Sequence, residues 1–80
     1  MTEPQSLLEI YDVTDDDAQR KIVRTLGRKG YLDAEPASDD KKSLVVVNSS
    51  RPSRAHWVFN KVRSIDDGAV LVHVACDDAI

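Results

Sequence analysis

The 80-residue sequence predicts an α/β fold of the α+β two-layer sandwich type, with one sheet and one layer of helices. Three observations lead to this prediction. Four segments are rich in branched apolar residues and end in turn residues, two others have apolar residues at spacings of three and four, and each of these two lies between two of the four along the chain. The length fits a single domain over residues 1–80 with a small core.

The first strand is predicted over residues 7–13, where LLEIYDV alternates loosely with a period of two. A helix is predicted over residues 14–30, with Thr14 as its N-cap and Gly30 as its C-cap. Asp15–Asp17 lie at the positive end of its dipole, and its last turn is basic. Its predicted buried stripe consists of Ala18, Ile22, Val23 and Leu26.

Two more strands are predicted over residues 31–36 and 43–48, joined by a polar turn, and Pro36 favours a position at the sheet edge. The second helix begins in SSRPSR, with Pro52 in its first turn and a serine as its cap. Its apolar stripe consists of Ala55, Val58, Phe59, Val62 and Ile65. The last strand is predicted over residues 69–76.

The resulting order, strand–helix–strand–strand–helix–strand, is that of a ferredoxin-like fold, a four-stranded antiparallel sheet with two helices on one face. Helices would cover only that face, yet both faces of the predicted strands are apolar. An uncovered apolar face is normally an interface. We therefore expect a homodimer that forms through Leu44, Val46, Leu71 and His73, with a foreign protein partner as the alternative.

A tryptophan and two cations share the predicted solvent face of the second helix. Trp57 lies away from the apolar stripe, and Arg54 and Lys61 are its neighbours at helical spacing. This composition is typical of protein interfaces, so it predicts a partner-binding surface. In the alternative interpretation, Trp57 folds over the edge of the helix and the cations stack on its ring.

The stretch GRKGYLDAEPASDDKKSLVVV, residues 27–47, contains a basic helix end, a short strand, an acidic-to-basic loop and an apolar strand. It resembles the recognition helix and wing of MarR-type winged-helix regulators. The matching residues are Leu26, Lys29, Gly30, Tyr31, Pro36, Asp39, Asp40, Lys41, Lys42 and Leu44–Val47. The resemblance implies nucleic-acid binding, with helix residues in the major groove and wing residues on phosphate. The helix residues that would enter the major groove are Arg20, Arg24 and Arg28, and the wing residues that would meet phosphate are Lys41 and Lys42.

The local pattern also has plainer interpretations, since any helix followed by a hairpin produces it. The hairpin then belongs to an ordinary sheet, and the arginines form a solvated helix face with the aspartates one turn before them. A net charge of −3 and a pI near 5.2 argue weakly against general nucleic-acid binding.

Several function classes have no support in the sequence. It contains no GxSxG, Walker or GxGxxG motif, so neither an enzyme nor a cofactor is predicted. Cys76 is the only cysteine, which excludes an internal disulfide, and its parity is opposite to that of His73, so no metal site is predicted. The first residues lack the pattern of a signal peptide and no apolar run could span a membrane, so we expect a cytoplasmic protein.

The sequence therefore predicts a small non-catalytic protein-binding or regulatory module. The alternative is a compact winged-helix-like, nucleic-acid-binding transcriptional regulator.

Overall fold

The computed structural model describes residues 4–27, 30–38 and 41–78. Its elements are β1 (Pro4–Asp12), α1 (Asp16–Leu26), β2 (Leu32–Ser38), β3 (Lys41–Ser49), α2 (Ala55–Ile65) and β4 (Val70–Asp78). A single 3₁₀ turn, Pro52–Arg54, leads directly into α2. The prediction of an α+β fold with a four-stranded antiparallel sheet and two helices is confirmed.

The strands lie in the order β2-β3-β1-β4, and each neighbouring pair is antiparallel. Consequently β1 and β2 run in the same direction with β3 between them, and β3 and β4 run in the same direction with β1 between them. Each helix thus connects two parallel strands that are not neighbours. The register places Tyr11 of β1 opposite Val45 of β3 on one side and Leu71 of β4 on the other.

The core lies between one face of the sheet and the two helices. Tyr11, Val45 and Val47 from the central strands are fully buried, as are Ile22 and Leu26 of α1 and Val58 and Val62 of α2. The rest of the core cluster comprises Val13, Ala18, Leu32 and Ala69. Both predicted stripes therefore face the sheet, with Val23, Phe59 and Ile65 only partly buried against the core. Ala55, the first residue of α2, is partly buried but does not belong to the core cluster.

The first helix begins one residue later than predicted, because its cap is Asp15 and not Thr14. The Asp15 carboxylate accepts a hydrogen bond of 2.8 Å from the backbone N–H of Ala18, the usual capping contact. The helix ends at Leu26, so Gly30 is not its C-cap either, and the N–H of Gly27 closes the last turn on Val23 at 2.9 Å. Residues 28 and 29 lie outside the part of the chain that the structure describes.

The second helix begins without the predicted serine cap. Its N-cap residue is Arg54, whose side chain makes no capping hydrogen bond, and the preceding 3₁₀ turn supplies the entry instead. The serines ahead of the helix make hydrogen bonds to other backbone groups instead of capping it. The N–H of Ser50 bonds the carbonyl of Tyr31 at 2.8 Å, and the Ser49 hydroxyl accepts from the N–H of Arg51 at 3.2 Å. The bond from Ser50 to Tyr31 holds the end of β3 beside the start of β2, whereas the bond from Arg51 to Ser49 is local.

Candidate protein-binding surface

The sheet face opposite the helices, here called the open face, has an apolar centre. Cross-strand pairing places Ile10 of β1 beside Val46 of β3, with Leu8 and Leu44 on the same face at neighbouring alternate positions. All four side chains are only partly buried. Within residues 4–27, 30–38 and 41–78, both helices pack on the other face. The centre of the sheet is therefore apolar on a face that no described helix covers.

Carboxylates border this apolar centre. Glu35 of β2 lies opposite Val46, and Asp33 lies opposite Asn48, so both belong to the open face. Asp12 of β1 belongs to it as well, because it pairs with Leu44. All three carboxylates are exposed. The open face thus combines an apolar centre with an acidic border on the side of β2 and at one end of β1.

The edge of the sheet opposite β2 is formed by β4, where three valines are about half-exposed. The exposed fractions are 56% for Val70, 52% for Val72 and 51% for Val74. In the predicted interface set of Leu44, Val46, Leu71 and His73, the two β3 residues and His73 lie on the open face, since His73 pairs with Ile10.

Leu71 does not lie with them. It pairs with Tyr11 and packs against the core on the helix side. The reason is a register shift between Ile10 and Tyr11, which leaves Val72 as an extra residue of β4. A bulge of this kind reverses the parity of the residues beyond it, so 71 and 73 face opposite sides of the sheet. The expectation that Leu71 and His73 share a face is therefore wrong.

The position of Trp57 agrees better with the alternative interpretation, in which the ring folds over the edge of the helix, than with an isolated surface anchor. Its ring is partly buried and packs against the core cluster, and the Nζ atom of Lys61 lies 5.6 Å from the ring centroid. This is the geometry of a cation–π contact. Arg54 is exposed in the 3₁₀ turn at the start of α2. Lys61 and Trp57 thus form a pair, and the exposed part of the indole remains a small surface beside it.

The arginines of α1 lie on its outer surface. Arg20 forms an exposed ion pair with Asp17, and Arg24 is exposed in the last turn. Arg28 lies outside the described residues, as do the side chains of Lys41 and Lys42, whose backbone begins β3. The exposed pair contributes at most about 1 kcal/mol to stability.

The stretch that resembles a wing belongs to the sheet. Its described part forms the antiparallel pair β2–β3. The segment ahead of α1 is the strand β1, whereas a winged-helix domain places helices ahead of its recognition helix. The resemblance to MarR-type regulators therefore does not extend to the arrangement of the elements.

One buried polar pair was missed by the sequence interpretation. Glu9 is 3% exposed, and the hydroxyl of Tyr11 donates to its Oε2 atom at 3.2 Å. Its Oε1 atom is buried without a hydrogen-bond partner among the residues that the structure describes. Burial raises the pKa of Glu9, although the hydrogen bond from Tyr11 opposes the rise. The pKa of Tyr11 is raised as well, first by its own burial and then by the negative charge of Glu9. The period of two could have revealed Glu9, since it shares the parity of Leu7 and Tyr11.

A second polar cluster joins the loops at one end of the sheet. The Asp66 carboxylate accepts bonds from the N–H of Thr14 at 2.8 Å, from its hydroxyl at 3.0 Å and from the N–H of Gly68 at 3.1 Å. Burial alone would raise the pKa of Asp66, but these bonds and the charge of Arg63 lower it overall. The cluster satisfies the carboxylate completely, so its role is to hold the two loops together.

The described residues contain no group of three or more His, Cys, Asp and Glu side chains placed to hold a metal ion. His73 and Cys76 face opposite sides of the sheet, because they pair with Ile10 and Leu7 respectively. No described helix is both long enough and apolar enough to cross a membrane. No protein-family model matches the chain, and no curated protein sequence matches it either.

Proposed function

We propose that this chain is a small non-catalytic protein-binding or regulatory module with a ferredoxin-like arrangement, and that the open face is its docking surface. The strand order supports the proposed arrangement, because each helix joins two parallel strands that enclose a third. The binding proposal rests on the site and not on the fold, since one fold carries many functions.

The observation that carries the proposal is the apolar centre of the open face. A sheet covered by helices on one face only usually exposes polar residues on the other. Here Ile10 and Val46 lie side by side at the middle of that face, with Leu8 and Leu44 next to them. Contiguous apolar surface with a polar border is typical of a protein interface.

The border indicates the chemistry of the partner. Asp12, Asp33 and Glu35 surround the apolar centre on two sides, so lysines and arginines of a partner would meet carboxylates. A segment with one apolar face and flanking cations, such as a basic amphipathic helix, satisfies both requirements. In this proposal Trp57, Lys61 and Arg54 form a second, smaller contact on the helix layer.

Binding to a synthetic amphipathic helix of leucine and lysine tests the proposal. Titration into isotopically labelled protein should shift the amide signals of β1 and β3 around Ile10 and Val46. Val46→Thr keeps the side-chain shape but buries a hydroxyl in the interface, so it should weaken binding about tenfold. Val23→Thr makes the same change on α1, in the opposite layer, and should leave binding unchanged.

The same titration separates the alternatives. Peptide binding that Val46→Thr does not weaken would exclude the open face as the docking surface. A duplex oligonucleotide provides the comparison for the nucleic-acid hypothesis. Signals of Arg20 and Arg24 that shift with DNA, with an affinity that falls steeply as salt rises, would favour nucleic-acid binding instead.

A further inference from the structure

The two edges of the sheet differ in how they are protected. The outer strand β2 carries Pro36, which has no N–H to donate, the carboxylates Asp33 and Glu35, and an irregular register near its end. Proline, charge and bulges are the usual devices that prevent a sheet edge from pairing with another strand. The edge at β2 is therefore closed to strand addition.

The edge at β4 has register shifts at Val72 and near its end, but it lacks the proline and the carboxylates over residues 70–76. Residues 70–76 contain no proline, lysine, arginine or carboxylate, and three of them are the half-exposed valines. Beyond the bulge at Val72, the residues from His73 to Cys76 pair regularly with β1, so their outer edge is regular too. No other strand within residues 4–27, 30–38 and 41–78 pairs with this edge.

The exposure of β4 extends to both of its faces. Val74 pairs with Glu9 and so lies on the helix side, yet about half of it is exposed, while His73 and Ala75 are exposed on the open face. The helix layer therefore does not reach over this part of the strand. An additional strand at the edge would shelter side chains on both faces at once and would satisfy the outward backbone groups.

We infer that the edge of β4 binds β4 of a second copy of this chain, so that two four-stranded sheets join into one of eight strands. A two-fold axis at Val74, the middle residue of β4, pairs His73, Val74 and Ala75 with the same residues of the second copy in antiparallel register, within the part of the strand beyond the bulge. Val74 then faces Val74 of the second copy, and His73 faces Ala75. The inference rests on this edge alone and does not depend on what the open face binds.

A second copy fits this edge better than an unrelated strand for two reasons. An antiparallel pair of identical strands is closed by its two-fold axis, whereas pairing β4 with β2 would continue indefinitely and is opposed by Pro36 and the carboxylates. The chain also has a net charge of −3, and residues 70–76 carry none of the carboxylates that would repel a second copy. The resulting dimer keeps both open faces on the same side.

Sedimentation velocity on the full chain tests the inference, over about 10 μM to 1 mM, since a single strand pair is smaller than a standard interface. The wild type should show a reversible dimer. Val74→Lys brings two ammonium groups together at the two-fold axis and should weaken the dimer at least tenfold. The introduced ammonium lies across from Glu9, which favours retention of the fold.

Ala37→Lys is the matched control, because it adds the same charge at an exposed position of the β2 edge. It should leave the dimer unchanged. Hydrogen exchange of the wild type provides a second measurement that needs no variant. The amides of residues 72–76 should exchange more slowly as the concentration rises, and those of β2 should not. A wild type that stays monomeric to about 1 mM, or a dimer that Val74→Lys does not weaken, would overturn the inference.

Discussion

At the scale of single residues, Glu9 places a carboxyl group inside the core of a small protein. Burial raises its pKa, because the charged form loses its water while Tyr11 supplies only one hydrogen bond. The folded state therefore binds a proton on Glu9 more tightly than the unfolded state does. Stability from this group is greatest below the unfolded pKa of about 4.5 and falls as the pH rises through the higher folded pKa.

Glu9→Gln should remove this loss. The amide keeps an oxygen for the hydroxyl of Tyr11 but carries no charge, so the variant should be more stable than the wild type at pH 7 by about 1 kcal/mol. The gap should shrink as the pH falls below the folded pKa of Glu9, where the wild-type carboxyl is protonated. Urea unfolding at several pH values measures both effects.

Glu35→Gln is the control for this prediction, because Glu35 is exposed on β2. Its effect on the free energy of unfolding should stay within about 0.5 kcal/mol at every pH. A Glu9→Gln variant that is less stable than the wild type at pH 7 would show that the buried charge is compensated within the core.

Sequence and structure agree on the apolar core residues more than on their polar contacts. Ile22, Leu26, Val58 and Val62 were predicted from helical spacing alone and are fully buried. Thr14 was predicted as the N-cap because threonine is common at that position, but its N–H and its hydroxyl donate to the carboxylate of Asp66 instead. These two residues are 52 positions apart, and local patterns carry no information about such a contact.

At the scale of elements, the contact between Thr14 and Asp66 joins the loop before α1 to the loop after α2. Gly68 completes it, because the Asp66 carboxylate also accepts the N–H of Gly68. A Cβ atom added at Gly68 would lie 2.6 Å from the Cγ2 atom of Thr14. Turning Thr14 away would break its bonds to Asp66, so the close packing of the two loops depends on the absence of a side chain at residue 68.

Gly68→Ala should lower the free energy of unfolding by about 1 to 3 kcal/mol, the usual effect of an overpacked contact. The reason is steric and not conformational, since no glycine among the described residues has a positive φ. Thr14→Ser removes the Cγ2 atom and keeps the hydroxyl for Asp66. The double variant should therefore recover at least about 1 kcal/mol relative to Gly68→Ala, as measured by urea unfolding in a double-mutant cycle.

Additive effects in this cycle would mean that the clash is relieved by movement of the loop. Asp67→Ala serves as a control, because Asp67 is exposed in the same turn and makes none of the bonds to Thr14. It should change stability by less than about 0.5 kcal/mol.

The last strand shows where a simple period of two stops being predictive. Leu71 and His73 were assigned to the same face by parity, and the bulge at Val72 between them changed the outcome. Its position depends on how β4 pairs with β1, which no local feature of VLVHVACDD indicates. The strands β1 and β3 pair without a shift along their shared length, and there the alternation of buried and partly exposed residues follows the sequence.

At the scale of the whole molecule, the order of the strands determines which parts of the sheet are most stable against local unfolding. The two central strands β3 and β1 carry Tyr11, Val45 and Val47, which are fully buried, while β2 and β4 lie at the edges. Sequence alone predicted the order of helices and strands, because apolar residues recur at different spacings in the two kinds of element. It could not show that the helix layer stops short of the outer half of β4, which depends on how the helices sit on the sheet.

This arrangement predicts a gradient of hydrogen exchange across the sheet. At low concentration, the slowest amides should lie in β1 and β3 and exchange only through global unfolding. Amides between Val72 and Cys76 should exchange at least about tenfold faster, because their side chains are exposed on both faces and opening there uncovers little apolar surface. Equal protection of β4 and β1 in the monomer would contradict this gradient. If β4 becomes protected only as the protein concentration rises, the protection comes from pairing with a second copy of the chain.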